Sequence, residues 1–379
     1  DIKKCNKIMQ FESGTFSKYA IDLNINKFNI TFNKRYSNFP FKSLKFNDES
    51  IIYTRIYEYL SNAVKKRVVG TCERPIGCLL SGGLDSSLIA ALVNKYYEGE
   101  NVLKTFSIGL SGSEDLKYAK IVANYLGTEH HEIILSEDEF FDSIEDVIKT
   151  IESYDTTTVR ASVGNYLIGK YIKENTDCKV IFNGDGSDEL AGGYLYFNDC
   201  PDSYEFDKEC CRLLYNICYF DVLRSDRCIS EHGLEPRTPF LDREWVEFYL
   251  SINKDIRNHN IENKCEKFLV RNAFHTNDPE LLPQKILWRT KEAFSDGVSS
   301  LQKSWFKIIQ EKILFKILYN DDLNLELNNL LDNNNLVNKP TTLEQAYYRY
   351  LFNKYYKYSD NVVPYFWIPK YTNAKDASA

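Results

Sequence analysis

The chain has 379 residues, 43% of them hydrophobic and 27% charged, with a formal net charge of −7. That length suits about two domains on a prior of roughly 150 residues each, and the composition is that of an ordinary globular protein. The acidic balance argues against a general nucleic-acid binder, and no apolar run approaches the ~20 residues that span a bilayer, so neither nucleic acid nor membrane is an expected partner.

The first residues, DIKKCNKIMQ, lack a signal peptide's apolar stretch and an initiator Met, so the sequence is expected to start inside a longer chain. Ten cysteines show neither a CxxC pair nor zinc spacing, which predicts reduced thiols and a cytoplasmic location. Two alternating stretches, Lys18–Leu23 and Lys27–Phe32, flank Asn24-Ile25-Asn26 and predict a hairpin. It has too little apolar mass to fold alone, so residues 1–45 read as the edge of something upstream. From Glu49 to Val69 the apolar spacing is helical and ends in Lys65-Lys66-Arg67, where cations suit a helix C-terminus.

Ile76–Ser87 reads IGCLLSGGLDSS: a buried strand, a tight glycine turn and a helix start. Such a junction gathers free backbone N–H groups and the positive end of a helix dipole, which suits an anion. Ser81, Ser86 and Ser87 add hydroxyl donors, while Asp85 would repel phosphate unless a cation lay between them. The natural reading is a Mg-phosphate site. The chain contains no GxxxxGK[ST] and no GxGxxG, so neither a Walker A loop nor a dinucleotide fold is indicated.

Strand–helix units follow. The expected strands are Ile76–Leu80, Leu103–Gly109, His130–Leu135 and Lys179–Asn183; the expected helices lie near Ser87–Tyr97, Asp115–Leu126, Glu137–Glu152 and Ala161–Glu174. This alternation predicts an α/β fold, a parallel sheet flanked by helices with ligands outside the strands' carboxyl ends. A second glycine loop, Asn183-Gly184-Asp185-Gly186-Ser187-Asp188-Glu189, falls at such an end and can face the first. Its acids lie in solvent or hold the hard cation that Asp85 needs; two acidic glycine loops at one sheet edge favour shared Mg. Beyond Gly193 the pattern is mostly helical, with Arg224, Arg227, Arg237, Lys267, Arg271, Arg289 and Lys291 scattered along it. Asn-rich Leu318–Asn338 reads as a mobile insertion or surface loop, residues 341–368 as an aromatic helix and tail, and residues 371–379 as a disordered end.

The serine–glycine loop without lysine resembles the pyrophosphate loop of the ATP pyrophosphatases. SGGLDSS and NGDGSDELAGGYLYF are joined by FSIGLSGSEDLKYAKIVANYLGTEHHE (106–132), IESYDTTTVRAS (151–162), GLEPRTPFLD (233–242), CEKFLVR (265–271) and WRTKEAFSDGV (288–298). Together, in order from about residue 50 to 300, these resemble the synthetase domain of the asparagine synthetases. The resemblance implies an adenine-nucleotide α-hydrolase-like core over 46–200, a helical part over 201–370, and an upstream glutaminase-like remnant and linker over 1–45. It implies ATP phosphates held by Leu80, Ser81, Gly82, Gly83, Asp85, Ser86 and Ser87, with Ile108 and Gly184 near the adenosine. Asp85 and Asp188 would bind Mg2+. Thr157, Thr158 and Arg160 would bind aspartate and handle pyrophosphate, and Lys267 and Lys291 would face the departing charge. Asp185 is a candidate proton acceptor from the attacking ammonia.

Two departures stand out. The family usually has Ser and Glu where this chain has Asn183 and Asp185; the shorter acid is drawn back by roughly 1.5 Å, a shift comparable to misplacements that cost ~100-fold in rate. Activity survives if the backbone compensates. The family's N-terminal glutaminase, with its initial Cys, is not in this sequence, so residues 1–379 would use free ammonia where the glutaminase would supply it from glutamine. The expected function is ATP-dependent amidation of aspartate through β-aspartyl-AMP. The alternatives are a related adenylating amide or β-lactam synthetase, and a nucleotide-binding scaffold without turnover. Pairing into a homodimer is left open.

Overall fold

The computed structural model describes residues 8–36, 48–71, 73–262, 264–290 and 303–373. β1 (Thr15–Asp22) and β2 (Lys27–Arg35) form the expected antiparallel hairpin, longer at its open end than the alternation indicated. Phe16, Ile21, Phe28 and Ile30 on it are all exposed. The Arg35 guanidinium stands 5.2 Å over the Tyr215 ring.

Helix α1 (Glu49–Val69) starts where the Asp48 side chain accepts from the Ser50 N–H, and it buries Ile52, Ile56, Leu60 and Val64 at helical spacing. Five parallel strands follow: β3 (Ile76–Leu79), β4 (Lys104–Leu110), β5 (Glu129–Leu135), β6 (Val180–Phe182) and β7 (Glu235–Arg237). Their order is β5-β4-β3-β6-β7, with Cys78 of β3 opposite Thr105 on one side and Phe182 on the other. β3, β4 and β5 run outward in one direction, and β6 then returns to the opposite flank of β3. That reversal is a topological switch point, and both glycine loops leave from it.

The crossovers are α2 (Leu84–Tyr96), α3 (Glu114–Leu126), α4 (Glu137–Asp142), α5 (Ile144–Ile151) and α6 (Thr156–Asn175). A single helix over Glu137–Glu152 was expected. The chain instead breaks at Ser143, whose hydroxyl donates to the Phe140 carbonyl. α6 starts five residues before Ala161, because Asp155 caps it by accepting from the Thr158 N–H at 2.9 Å. Alternation along β6 sends Val180 and Phe182 into one apolar layer with α1 and α2, and Ile181 into the other with α5 and α6.

The later part is helical as expected: α7 (Ser187–Ala191), α8 (Ser203–Asn216), α9 (Asp221–Ser230), α10 (Arg243–Ser251), α11 (Lys254–Arg257), α12 (Phe268–Asn277), α13 (Gln284–Leu287), α14 (Trp305–Leu318), α15 (Asp321–Asp332) and α16 (Leu343–Tyr355). Two features differ from the sequence reading. β7 is a three-residue edge strand containing Pro236, a residue tolerated only at an edge. The Asn-rich stretch read as a loop contains α15: Asn320 caps it, and Leu323 and Leu327 bury one turn apart against the rest of the layer. Tyr371, at the start of the expected tail, donates to the Glu205 carbonyl at 3.1 Å; residues 374–379 lie outside the described residues. No described helix is long and apolar enough to cross a membrane.

Candidate active site

The loop after β3 folds onto itself. The Ser81 N–H donates to Ser86 Oγ at 3.1 Å, and the two serine hydroxyls stand 3.0 Å apart. Gly82 has φ +76°, and a Cβ there would lie 2.4 Å from the Ala119 nitrogen, so only glycine makes this turn. Gly83 then caps α2 with no side chain, leaving the helix's first N–H groups to the cavity.

The second loop reaches the first through backbone. A Cβ on Gly184 would meet the Asp85 carbonyl carbon and the Ser86 nitrogen, each at 2.8 Å. Ser187 Oγ donates to Asp85 Oδ1 at 2.7 Å. Lys267 completes the junction: its Nζ lies 2.5 Å from Asp85 Oδ2 and 2.5 Å from Asp188 Oδ1, and the residue is 2% exposed. Its backbone is left-handed (φ 57°) at the N-cap of α12, and a Cβ on Gly193 would fall 2.0 Å from Lys267 Cε. The two carboxylates touch one ammonium, so about 5 Å at most separates the contacting oxygens. Mg2+ commonly takes one or two carboxylates and fills its remaining positions with phosphate and water, so Asp85 and Asp188 fit that ion.

These groups line a cavity over the switch point. Its apolar lining includes Leu79, Phe106, Ile108 and Ile168. Its charged lining sets carboxyl groups of Asp85, Asp115, Asp185, Asp188, Asp221 and Glu266 against cations of Lys267, Arg224, Arg271 and Arg289. Acids outnumber bases, so a triphosphate entering here needs added cationic charge.

Asn183 and Asp185 form a linked pair. Asn183 Oδ1 accepts from the Asp185 N–H at 3.2 Å, while its Nδ2 donates to Ser225 Oγ at 2.6 Å on α9. Arg224, one residue earlier on α9, lies 3.3 Å from Asp185 Oδ1 and 2.7 Å from Asp221. Burial pushes the Asp185 carboxyl above the usual range, and Arg224 opposes that shift. Glu189 is pushed up further by burial and by Asp221 and Asp188, and accepts from Tyr194 OH at 2.5 Å.

Of the residues singled out from sequence, Leu80, Ser81, Gly83, Asp85, Ser86, Ile108, Thr157, Gly184, Asp185, Asp188 and Lys267 line this cavity. Gly82 shapes the turn behind it. Ser87 is fully buried, its hydroxyl without a hydrogen-bond partner among the described residues. Thr158 also turns inward, donating from N–H and Oγ1 to Asp155. Arg160 is not at the cavity wall: its Nε and NH2 donate to Glu344 at 2.7 and 2.6 Å, under the Phe306 ring. Lys291 lies outside the described residues. His130 bonds Thr105 and Ser107.

Sequence reasoning missed Asp115, Tyr194, Asp221, Glu266, Arg271, Arg289 and the role of Arg224. Arg289 pairs with Asp115 at 3.1 Å and lies 3.9 Å over Tyr118, and Arg271 donates to the Leu287 carbonyl at 2.5 Å. Arg271 and Arg289 sat inside quoted motifs, so their placement was a readable signal; Asp221 and Arg224 lie on a helix with no motif of its own.

A family model described as asparagine synthase matches residues 55–206 and 198–337. The whole chain is 43% identical to the asparagine synthetase [glutamine-hydrolyzing] of Gallus gallus, covering 64% of that protein. Over 84% of its length it is 47% identical to the Mus musculus protein of the same name and 46% identical to that of Homo sapiens, covering 55% of each. The chain thus spans between about half and two-thirds of the length of these curated relatives.

Proposed function

The chain belongs to the asparagine synthase family, and from that premise we propose that it makes asparagine from aspartate, ammonia and ATP, releasing AMP and pyrophosphate. The observation that carries this reading is the Asp85–Lys267–Asp188 bridge, which ties both glycine loops to one point under the cavity.

Aspartate's β-carboxylate is a poor acyl donor, because oxide leaves badly. Its attack on the α-phosphate forms β-aspartyl-adenylate and expels pyrophosphate; ammonia then attacks the acyl carbon, and AMP leaves. The apolar lining of the cavity suits the adenine, against Leu79, Phe106 and Ile108. The Ser81–Ser87 loop, with its hydroxyls and helix N–H groups, suits the β- and γ-phosphates, whose growing charge Lys267 would meet as bonds to the α-phosphate break. Asp85 and Asp188 would hold Mg2+, which when bound supplies the positive charge that this acidic wall lacks. The amino acid takes the remaining side, between Thr157, Asp185, Tyr194 and Arg224, where a guanidinium can pair with a carboxylate. Asp185 would accept the proton that ammonia loses. A carboxyl raised by burial is a better base near neutral pH than an ordinary one.

The relatives' printed name includes glutamine hydrolysis, and each extends beyond the part aligned with this chain. We assign the nitrogen to ammonia, released from glutamine by a further glutaminase domain where one is present. The eight described cysteines are all free thiols, which supports the cytoplasm as the compartment. Incubating the chain with ATP, Mg2+, aspartate and an ammonium salt is expected to yield AMP and asparagine in equal amounts. ADP in place of AMP would end the proposal.

A further inference from the structure

We infer that Trp367, in the irregular strap after α16, is the positioning residue for the amino-acid side of the cavity, acting on two of its walls at once. The inference rests on the aspartate reading above. Trp367 does not line the cavity, but two residues that do are held by it.

The first wall is the N-terminal turn of α6. Asp155 caps that turn and is completely buried. Its Oδ2 accepts from the Thr158 N–H and hydroxyl at 2.9 and 2.7 Å, and its Oδ1 accepts from the Trp367 N–H at 2.7 Å. Two residues after Asp155, Thr157 lines the cavity and directs its hydroxyl towards the Trp367 carbonyl at 3.5 Å. The Trp367 peptide thus engages a buried cap and a lining side chain side by side. Both contacts are made by backbone atoms, so they depend on the Trp367 ring for where the strap lies; a strap that shifts when the ring is removed weakens the donor to a buried carboxylate oxygen, and the turn shifts with it.

The second wall is Tyr194. The Trp367 ring is 8% exposed and packs with its centroid 5.5 Å from the Tyr194 ring. Tyr194 lines the cavity, and its hydroxyl holds Glu189 in the second glycine loop. The strap itself is pinned independently of the site: Asn338 Nδ2 donates to the Val363 carbonyl at 2.7 Å, and Arg212 donates to Tyr365 OH at 2.6 Å. A ring anchored outside the cavity therefore fixes the spacing between Thr157 and Tyr194, the gap into which the amino acid fits. Among the described residues, no hydrogen bond or ion pair of Ser81–Ser87 runs to this strap; the side-chain partners of the loop are Ser187, Lys267 and its own serines.

The predicted consequence is a split between the two substrates. Trp367→Ala should raise KM for aspartate by about tenfold or more, with KM for ATP within about twofold, because misplacement confined to one subsite weakens only what binds there. Trp367→Phe, which keeps a ring against Tyr194, should recover aspartate KM to within about threefold of the parent. Hydrogen exchange of the nucleotide-free full chain supplies a readout that does not depend on turnover. The Ala variant should exchange faster over 155–162 and 189–196 and unchanged over 81–87. Equal rises in both KM values, an unaltered aspartate KM, no rescue by Phe, or unaltered exchange at both segments would each overturn the inference. A parent protein that consumes ATP without consuming aspartate would instead defeat the functional reading; the exchange maps would still decide whether Trp367 holds the two walls.

Discussion

The turn at Ser81–Ser87 and the turn at Asp155–Arg160 border one cavity and are held in opposite ways. In the first, Ser81 bonds Ser86 five residues on, Gly83 caps the helix, and a glycine takes up the positive φ. In the second, Asp155 is bonded to Trp367, 212 residues away, and Arg160 to Glu344, 184 residues away. The first turn thus takes its shape from its own short sequence, with Ser187 and Lys267 holding its Asp85 from the second loop and α12. The second takes its shape from α16 and the strap. Damage in α14, α16 or the strap should therefore reach the second turn and spare the first.

The largest expected effect breaks that distant support. Arg160 and Glu344 are 5% and 1% exposed, and Glu344 also accepts from Gln310 at 2.8 Å. Glu344→Ala leaves a buried guanidinium without its bidentate partner, which costs ~3–5 kcal/mol of folding stability in comparable buried pairs. Chemical denaturation should register that loss, while nucleotide affinity of the molecules that remain folded should be nearly unchanged. A fall in nucleotide affinity as large as the fall in stability would remove the distinction between the two turns.

Next comes the junction of the two glycine loops. Lys267→Met keeps the stem's length and deletes the charge shared by Asp85 and Asp188, so kcat/KM should drop ~10²–10³-fold, as when one stabilising donor is lost from a charged transition state. The same variant should bind Mn2+ more tightly than the parent when no nucleotide is present, because two carboxylates then face each other without a counter-ion. Titration followed by paramagnetic resonance reads this directly; no gain in Mn2+ affinity would mean that the two acids do not address a common cation. Gly184→Ala tests the close approach itself. Its Cβ meets loop backbone at 2.8 Å, so the loops must separate, with an expected loss of about 100-fold in turnover for an ångström of displacement.

How much of this was legible follows the same division. SGGLDSS and NGDGSDE announce their turns locally, since glycine spacing and strand–helix period report backbone geometry within a few residues. Eleven of the residues proposed from sequence accordingly line the cavity. Arg160 was assigned to substrate because it lies in the right segment, but Glu344 sits on a helix whose own sequence says nothing about Arg160. The same limit hid β7, a three-residue strand whose pairing with β6 depends on tertiary context. It also hid α15, where the leucines at 323 and 327 were masked by asparagines that ordinarily signal loops. Asn183 and Asp185, the two departures from the family pattern, look isolated in sequence. In space they share a hydrogen bond and lean on Ser225 and Arg224 of one helix.

The smallest effect lies where the two regions meet, at Glu189. Its carboxyl is buried, bonded to Tyr194 through one oxygen, and its other oxygen has no hydrogen-bond partner among the described residues. Burial raises its pKa well above the ordinary 4.5, with Asp221 and Asp188 adding to the shift. The folded protein therefore holds a proton that the unfolded chain releases. Stability from this group is complete below about pH 4.5 and declines as pH rises from there towards the folded-state value, because the unfolded chain binds fewer protons over that window. Glu189→Gln imitates the protonated carboxyl and can still accept from Tyr194, so its midpoint of thermal unfolding should fall less than the parent's as pH rises from about 5 to 8. Parallel curves for parent and variant would mean that Glu189 is ionised in the folded state. The link from Trp367 through Tyr194 to the second loop would then be a bond to a charge and not to a neutral acid, and the strap would bear on the electrostatics around Asp188 as well as on the shape of the cavity.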